Sequence, residues 1–514
     1  MKIIIPEKKL LVYIFFLACL FSLNIVKAQN SFISDSLDNY VLREMTRWQI
    51  PGVAVAVVKD GKVLVSKGYG VRESGQTGKV DENTLFMIAS NSKAFTGTSI
   101  AMLDYEKRLS LDDKVTKWMP AFKLYDPLAT KETTIRDLLC HRIGLETFQG
   151  DFLNWGCNLS RNELISRFNL HKPIYSFRSK WGYCNLAFLT AGEIIPLVTD
   201  TTWDDYVFHH FFKPLKMDRS STKFKMFAND ANACKAHSLV GGKLTLIPYA
   251  TIDNIGPAAS INSSVKDISN WLIMNIDSGR FEGKTVVTWD ALFKARSSQM
   301  VVREPRSALS PSTHFLTYGL GWELEDYMGR KIIHHGGGAD GFVTSTCFLP
   351  EERLGIVVLT NSDANSFYDA LRKQIIDAFL NAPYKNYSEI YYKRFKTGYD
   401  NDKSQIESWK ASASKKNKMP VDIKYFVGKY KNEVYGNAEV KLDAGKLNIY
   451  FEHHPGLIGK LEYTDDNKFL CTYSLTTYGI KQLPFIISGG KVKSIIVSVN
   501  DFIDYMEYSF EKID

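Results

Sequence analysis

The order of apolar and polar residues predicts a helix and then a β-hairpin in the first part of the chain. From Ser36 to Trp48 apolar residues recur at helical spacing, and Pro51-Gly52 ends this segment. Residues 53–58 are a continuous apolar run, which is typical of a buried strand. Asp60-Gly61 then provides a turn, and the apolar run at 63–65 would return as the second strand of the hairpin.

The pattern changes to helical periodicity in the middle of the chain and later returns to strands. Residues 105–290 are mainly helical by this criterion, and one apolar helix is expected to run from Leu186 until Pro196 stops it. Two strands are predicted within 341–359, followed by a helix at 366–380. This order predicts an α+β fold, in which an antiparallel sheet flanked by helices is assembled from both ends of the domain around a helical insertion.

The end of the chain has a different composition and pattern. Residues 382–420 are polar and rich in Lys, Ser and Asn, which predicts a partly helical connector. From 421 to 514 short β-rich runs alternate with Gly, Asn and Asp, which favours a small antiparallel barrel or sandwich. The predicted strands are Tyr425–Tyr430, Ala438–Leu442, Lys446–Phe451, Phe469–Tyr473, Pro484–Ile487, Val492–Val499 and Tyr505–Phe510.

The N-terminus has the pattern of an export signal. Lys8-Lys9 precede an apolar run from Leu10 to Val26, and Val26-Lys27-Ala28 provides a cleavage site with small residues. Residues 1–28 are therefore predicted to be a signal peptide, and the protein to be periplasmic or secreted without a stable membrane anchor. An uncleaved anchor and a lipoprotein cut before Cys19 are weaker alternatives, because the run is short for a membrane span and Phe16-Leu17-Ala18 fits a lipobox poorly.

Composition argues against several classes of function. The net charge is +8, and no dense basic cluster with interleaved aromatic residues occurs, so nucleic-acid binding is not expected. The seven cysteines form no Cys-x-x-Cys pair, so neither a zinc site nor any other metal or cofactor is predicted. The expected partner is a small-molecule or peptide substrate, while the sequence leaves disulfide pairing and oligomeric state open.

The first candidate for chemistry is the Ser-x-x-Lys pair formed by Ser90 and Lys93, which follows an apolar lead-in at the predicted start of a helix. Residues three apart share one face of a helix, so the hydroxyl and the amine come within hydrogen-bond reach. An amine can take the proton of a serine nucleophile, and the unpaired N–H groups at a helix start suit a developing oxyanion. The same spacing recurs elsewhere, for example at Ser220 and Lys223, so the pair needs partners.

Two further stretches are candidates for these partners. Tyr183 and Asn185 lie two residues apart before an apolar helix; a phenol beside an amine can shuttle a proton, and an amide can hold a carbonyl or orient the lysine. The segment from His335 to Gly338 enters a predicted strand, and its glycines would let a substrate lie against an exposed strand edge. Taken alone, each stretch also fits an ordinary structural role, as a core tyrosine with a helix-capping asparagine and as a flexible hairpin.

Together, the three stretches resemble the serine β-lactamase and penicillin-binding protein family. The nearest pattern is that of the class C β-lactamase-related hydrolases, which include esterases and D-aminopeptidase-like enzymes and carry Ser-x-x-Lys, Tyr-x-Asn and Lys/His-x-Gly in this order. Residues 29–381 are assigned to this domain. Residues 421–514 are similar to the lipocalin-like β-domain that is appended to some of these hydrolases.

The resemblance implies a role for each motif residue. Ser90 would attack a carbonyl carbon and form an acyl-enzyme, with Lys93 and Tyr183 as the general-base pair. The backbone N–H groups of Ser90 and Gly338 would form the oxyanion hole. The residues implied to contact the substrate are Asn185, His335, Gly337 and Gly338.

Two departures from the β-lactamase pattern bear on the substrate. His335 stands where true β-lactamases usually carry lysine, and an unperturbed imidazole, with a pKa of about 6.5, is only partly charged near neutrality. Gly336 removes a hydroxyl that would otherwise bind a substrate carboxylate. Both favour an esterase or peptidase over an efficient β-lactamase. The competing hypothesis is a non-catalytic acyl-binding or peptidoglycan-sensing protein, against which the intact Ser90, Lys93 and Tyr183 argue.

Overall fold

The computed structural model describes residues 32–304, 309, 312–415 and 417–513, and the predicted signal peptide lies outside the described residues. The strands before residue 380 are β1 (Gly52–Lys59), β2 (Lys62–Gly70), β3 (Phe86–Met87), β4 (His237–Val240), β5 (Lys243–Leu246), β6 (Asn262–Ser263), β7 (Arg280–Phe281), β8 (Lys284–Thr285), β9 (Met300–Arg303), β10 (Leu316–Tyr318), β11 (Glu323–Tyr327), β12 (Arg330–Ala339), β13 (Phe342–Leu349) and β14 (Leu354–Thr360).

The α-helices of the described residues are α1 (Leu37–Trp48), α2 (Ser92–Tyr105), α3 (Val115–Trp118), α4 (Pro127–Glu132), α5 (Ile135–Leu139), α6 (Asp151–Asn154), α7 (Arg161–Ser166), α8 (Asn185–Gly192), α9 (Ile194–Thr199), α10 (Trp203–Val207), α11 (Phe224–Ala228), α12 (Gly256–Ala259), α13 (Val265–Ile276), α14 (Trp289–Ala295), α15 (Phe367–Phe379) and α16 (Tyr387–Ser414). Among the described residues, no helix is both long enough and apolar enough to cross a membrane.

An eight-stranded antiparallel sheet, in the order β2-β1-β14-β13-β12-β11-β10-β9, is the centre of the first domain. Strand β1 has the helical insertion on one face and α1 with α15 on the other. Its alanines Ala54 and Ala56 belong to the core under the insertion, and its valines Val53, Val55 and Val57 belong to the core under α1 and α15. Burial on both faces explains why this strand is a continuous apolar run. The sheet with helices on its two faces confirms the predicted α+β fold.

The helical insertion differs from its prediction at Pro196. The chain forms two short helices, α8 and α9, and Pro196 lies in the first turn of α9 rather than at a helix end, so that prediction was wrong. In a first turn the missing N–H of proline costs no hydrogen bond. The break follows Gly192, where a Cβ atom would lie 2.3 Å from Cβ of Pro257, so α8 and α12 pack in close contact.

The C-terminal strands form a closed antiparallel barrel in which each strand pairs with the next and β15 pairs with β22. Its strands are β15 (Gly428–Asn432), β16 (Gly436–Asp443), β17 (Lys446–Phe451), β18 (Ile458–Tyr463), β19 (Lys468–Tyr473), β20 (Ile480–Ser488), β21 (Lys491–Val497) and β22 (Tyr508–Lys512). The predicted barrel is confirmed, but β18 was missed. A Cβ atom at Gly459 would lie 2.6 Å from the Ile449 side chain, so one inward position of β18 must be glycine and the apolar signal is weak.

The predicted connector contains the 28-residue helix α16. The ring of Tyr392 in α16 lies 5.1 Å from the ring of Trp48 in α1, so the helix begins against the first domain. Near its end, the hydroxyl of Ser412 donates to the carboxylate of Asp465 in the barrel at 2.8 Å. The domain boundaries proposed from the sequence remain predictions.

Helix α6 joins the insertion to the barrel. Phe152 is fully buried, and its ring lies 4.7 Å from that of Tyr435 and stacks at 5.4 Å on that of His454, both from the barrel. The hydroxyl of Tyr478 donates to the carbonyl of Trp155 at 2.9 Å. The hydrophobic core therefore continues from the insertion into the barrel.

Candidate active site

Ser90 lies in a single 3₁₀ turn, Ala89–Asn91, that leads into α2, so the α-helix proper starts two residues later. Ala89 has φ +46°, a left-handed conformation that is uncommon for a residue with a Cβ atom and that clusters at functional sites. The Ser92 hydroxyl holds this turn, because it donates to the carbonyl of Ala89 at 2.7 Å and accepts from the N–H of Ile261 at 3.0 Å. Ser90 is partly exposed between two buried neighbours, so a ligand can reach it.

The Lys93 amine is completely buried and contacts three oxygen atoms. Nζ lies 2.6 Å from Oδ1 of Asn185, 2.9 Å from the carbonyl oxygen of Ala258 and 3.2 Å from Oγ of Ser90. Burial lowers the pKa of Lys93 to about 7, against the opposing charge of Asp151. A neutral amine that donates its two N–H groups to Asn185 and Ala258 keeps its lone pair for the Ser90 hydroxyl. The geometry is therefore that of a general base.

The ring of Tyr183 lies beside this amine. The Lys93 Nζ is 4.5 Å from the centre of the Tyr183 ring, and burial raises the pKa of Tyr183 well above its ordinary value, although an interaction with the Ser90 side chain opposes this shift. The phenol therefore stays protonated at neutral pH. It can pass a proton between Ser90, Lys93 and a leaving group, but in the resting protein it is a phenol and not a phenolate base.

Asn185 is oriented by a buried carboxylate that the sequence did not indicate. Its Nδ2 donates to Oδ2 of Asp151 in α6 at 2.6 Å, which leaves Oδ1 to accept from Lys93. Burial raises the pKa of Asp151 to about 7. The chain of contacts Asp151, Asn185, Lys93 and Ser90 thus connects the helix between the domains to the Ser90 hydroxyl.

The glycines after His335 form an open strand edge beside Ser90. Strand β11 pairs with β12 only up to His334, so no strand of the described residues covers the outer edge of β12 from residue 335 onward. At Gly337 a Cβ atom would lie 2.1 Å from the carbonyl oxygen of Ile88 and 2.8 Å from Nδ2 of Asn91. Glycine is required there for the Ser90 turn to approach the strand.

His335 lies at this edge, and its charge differs from the partial charge expected of an unperturbed imidazole. Its Nδ1 is 2.6 Å from the carbonyl of Gly336, which can only accept, so Nδ1 carries the proton. Its Nε2 is 2.9 Å from the hydroxyl of Tyr318 and accepts from it. Burial and the nearby Lys93 lower the pKa of His335 to about 3. The ring is therefore neutral at physiological pH, and both nitrogens are already occupied.

Sequence reasoning missed three groups that complete the site: Asp151, Tyr318 and the Ala258 carbonyl. None belongs to a motif that the pattern singled out. The carbonyl carries no side-chain signal, and the two side chains become recognisable only when the fold brings them to residues far away in the chain.

Comparison with known proteins identifies the family. A family model described as Beta-lactamase matches residues 37–380, which is more than half of the chain. The chain belongs to the Beta-lactamase family. The Beta-lactamase domain contains the Ser90 turn, Tyr183, Asn185 and strand β12, and the family's members are generally serine hydrolases. A second model, of a domain of unknown function (DUF3471), matches residues 412–512, which include the barrel.

Curated relatives and solved structures agree with this assignment. Protein flp of Staphylococcus aureus (strain MW2) is 26% identical over 372 residues, covering 69% of this chain and 68% of that protein. Unguisins hydrolase ungD of Aspergillus violaceofuscus is 25% identical over 449 residues, covering 81% and 78%. The octameric penicillin-binding protein homologue from Pyrococcus abyssi has a TM-score of 0.59 at 20% identity, covering 92% of this chain and 99% of that one, which is a likeness of fold.

Proposed function

We propose that this member of the Beta-lactamase family is an exported serine hydrolase that cleaves a small amide or ester through an acyl-enzyme on Ser90. The observation that carries the proposal is the environment of Lys93. Its amine has a pKa of about 7, two acceptors for its N–H groups and the Ser90 hydroxyl at 3.2 Å. A protein that only bound acyl groups would have no need of this arrangement.

The residues divide the reaction among them. Neutral Lys93 takes the Ser90 proton as Oγ attacks the carbonyl carbon, and the N–H groups of Ser90 and Gly338 stabilise the oxyanion. The protonated Tyr183 then donates to the leaving group and is reprotonated from Lys93. Water then attacks the acyl carbon while these proton transfers run in reverse, and the acid is released. Asn185, held by Asp151, keeps the lysine in place.

The expected substrate is a neutral ester or an aminoacyl amide rather than a lactam with a free carboxylate. At the strand edge, His335 is neutral with both nitrogens engaged, and Gly336 has no hydroxyl. A charge-assisted hydrogen bond contributes about 1.5–3 kcal/mol, so an anion gains little here. The relative named as an unguisins hydrolase supports hydrolysis as the activity without defining this substrate.

Labelling with a fluorophosphonate probe, followed by mass spectrometry of the modified peptide, tests the proposal. The modified residue is expected to be Ser90. The label should disappear in Ser90→Ala and persist in Ser412→Ala, a matched control because Ser412 and Lys415 also have the Ser-x-x-Lys spacing. Absence of label in the folded wild-type protein would favour the non-catalytic alternative.

A hydrolysis panel tests the substrate class. We expect clear turnover of a p-nitrophenyl ester or an aminoacyl anilide, and slow or absent turnover of nitrocefin. The reverse order of kcat/KM would contradict the assignment of the strand edge. Export is tested separately, by locating the tagged full-length protein in cell fractions and sequencing its N-terminus, which is expected to begin after Ala28.

A further inference from the structure

The loop between β21 and β22, residues 498–507 and called here the barrel loop, reaches the candidate active site. A Cβ atom at Gly338 would lie 3.2 Å from the ring of Phe502 in this loop, so that ring covers the face of β12 beside the expected oxyanion donor. The ring of Tyr505 lies 5.5 Å from that of Phe148, which in turn lies 5.5 Å from the ring of Tyr183.

The two aromatic side chains are exposed although the loop that carries them is fixed. Phe502 is 36% exposed and Tyr505 is 53% exposed, whereas Ile503 and Asp504 between them are buried. The Asp504 carboxylate accepts from the backbone N–H groups of Gly150 and Phe152, both at 3.1 Å. Exposed aromatic rings on a well-anchored loop next to the open strand edge at Gly338 are typical of a binding surface.

The position of Phe502 indicates which part of a substrate it would meet. The proton donor Tyr183 lies next to His335, with ring centres 6.1 Å apart, so a leaving group is expected at that end of the β12 edge. Gly338 is three residues further along the strand. An acyl group whose carbonyl oxygen is bound at Gly338 therefore extends toward Phe502.

We propose that the barrel loop is the acyl-binding wall of the active site and that Phe502, supported by Tyr505, selects substrates with an aromatic or bulky apolar acyl group. This inference rests on the proposed function and adds the substrate class to it. It also gives the C-terminal barrel a role in the chemistry of the first domain.

The test compares p-nitrophenyl phenylacetate with p-nitrophenyl acetate, which share a leaving group and differ only in the acyl group. In Phe502→Ala we expect the ratio of kcat/KM for phenylacetate over acetate to fall roughly tenfold, as lost apolar contacts do in enzyme pockets. Turnover of acetate should fall less, because a methyl group offers the Phe502 ring far less apolar surface than a benzyl group does. Phe502→Leu should retain an intermediate ratio. Tyr425→Ala, which removes another exposed aromatic ring of the barrel domain, should leave the ratio unchanged.

An unchanged ratio in Phe502→Ala would overturn the inference, and so would an equal loss with both esters, which would indicate a structural role. If Phe502→Ala instead changes only the kcat/KM ratio between esters that share an acyl group and differ in the leaving group, the acyl assignment is overturned. If the wild-type protein hydrolyses neither ester and takes no fluorophosphonate, the proposed function fails instead. Calorimetric binding of p-nitrophenyl phenylacetate to Ser90→Ala, with and without Phe502, then decides the inference, because a weaker Kd without the ring is still required.

Discussion

The Nζ atom of Lys93 lies closer to Oδ1 of Asn185, at 2.6 Å, than to Oγ of Ser90, at 3.2 Å. The amide therefore fixes the amine, and the serine meets an amine that is already oriented. Since Asn185 is itself held by Asp151, the position of this amine depends on a helix that also contacts the barrel.

The rate of acylation should depend on the charge of Lys93. Only the neutral amine accepts a proton, and its pKa is about 7, so kcat/KM is expected to rise with pH through about 7 and then to level off. Because the pKa of Tyr183 is raised well above its ordinary value, no falling limb from this residue is expected below about pH 10. A profile that falls as pH rises from 6 to 8 would contradict Lys93 as the base.

Asp151→Asn should move this limb to lower pH. The Asp151 carboxylate stabilises the ammonium form of Lys93, so removing its charge should lower the pKa of that lysine. The wild-type limb belongs to the coupled pair, whereas the variant should show a single ionisation. The measurement is the pH profile of kcat/KM, with circular dichroism to verify folding. A limb that stays in place or moves to higher pH would exclude this coupling.

Gly337→Ala should abolish labelling of Ser90 and lower the melting temperature. The new methyl group would lie 2.1 Å from the backbone oxygen of Ile88, so the Ser90 turn or β12 must shift. Gly336→Ala is the matched control, since the nearest atom to its Cβ is the Thr344 oxygen at 3.8 Å. Its melting temperature should be that of the wild type. Equal melting temperatures for both variants would show that the turn does not need the glycine.

The imidazole of His335 should remain neutral between pH 5 and 8. Its burial and the proximity of Lys93 hold its pKa at about 3. Nuclear magnetic resonance of protein with isotope-labelled histidine is expected to show no titration of this ring in that range, with His335→Asn used to assign its signal. A midpoint near 6.5 would restore the charge expected from the sequence alone and weaken the argument against carboxylate-bearing substrates.

Phe152→Ala should destabilise the protein by about 3–5 kcal/mol, the usual cost of removing a buried aromatic ring. The ring is fully buried among barrel residues, so the loss is expected to affect both domains. Urea unfolding followed by tryptophan fluorescence measures the free energy of unfolding. Phe208→Ala is the control, because that ring is 48% exposed and its loss should cost less than about 0.5 kcal/mol. Similar values for the two variants would argue against a shared core.

The sequence by itself determined the fold class, the closed β-rich end and the motif residues. The periodicity of apolar residues indicates which faces of the helices and strands are buried. Ser90 and Lys93 are close in the chain, so their contact follows from local helical geometry. The sequence pattern failed to predict β18, because its inward Gly459 has little apolar character. It also failed at Pro196, because the first turn of a helix accepts proline.

Only the tertiary structure decided the chemistry of the site. The pKa values of Lys93, Asp151 and His335 are set mainly by burial, which depends on atoms contributed by distant segments. The same holds for the barrel loop, since no sequence pattern places Phe502 against Gly338. A motif gives the identity of reacting groups, but the free energy of their charged forms depends on solvent exclusion, which exists only once the chain has folded.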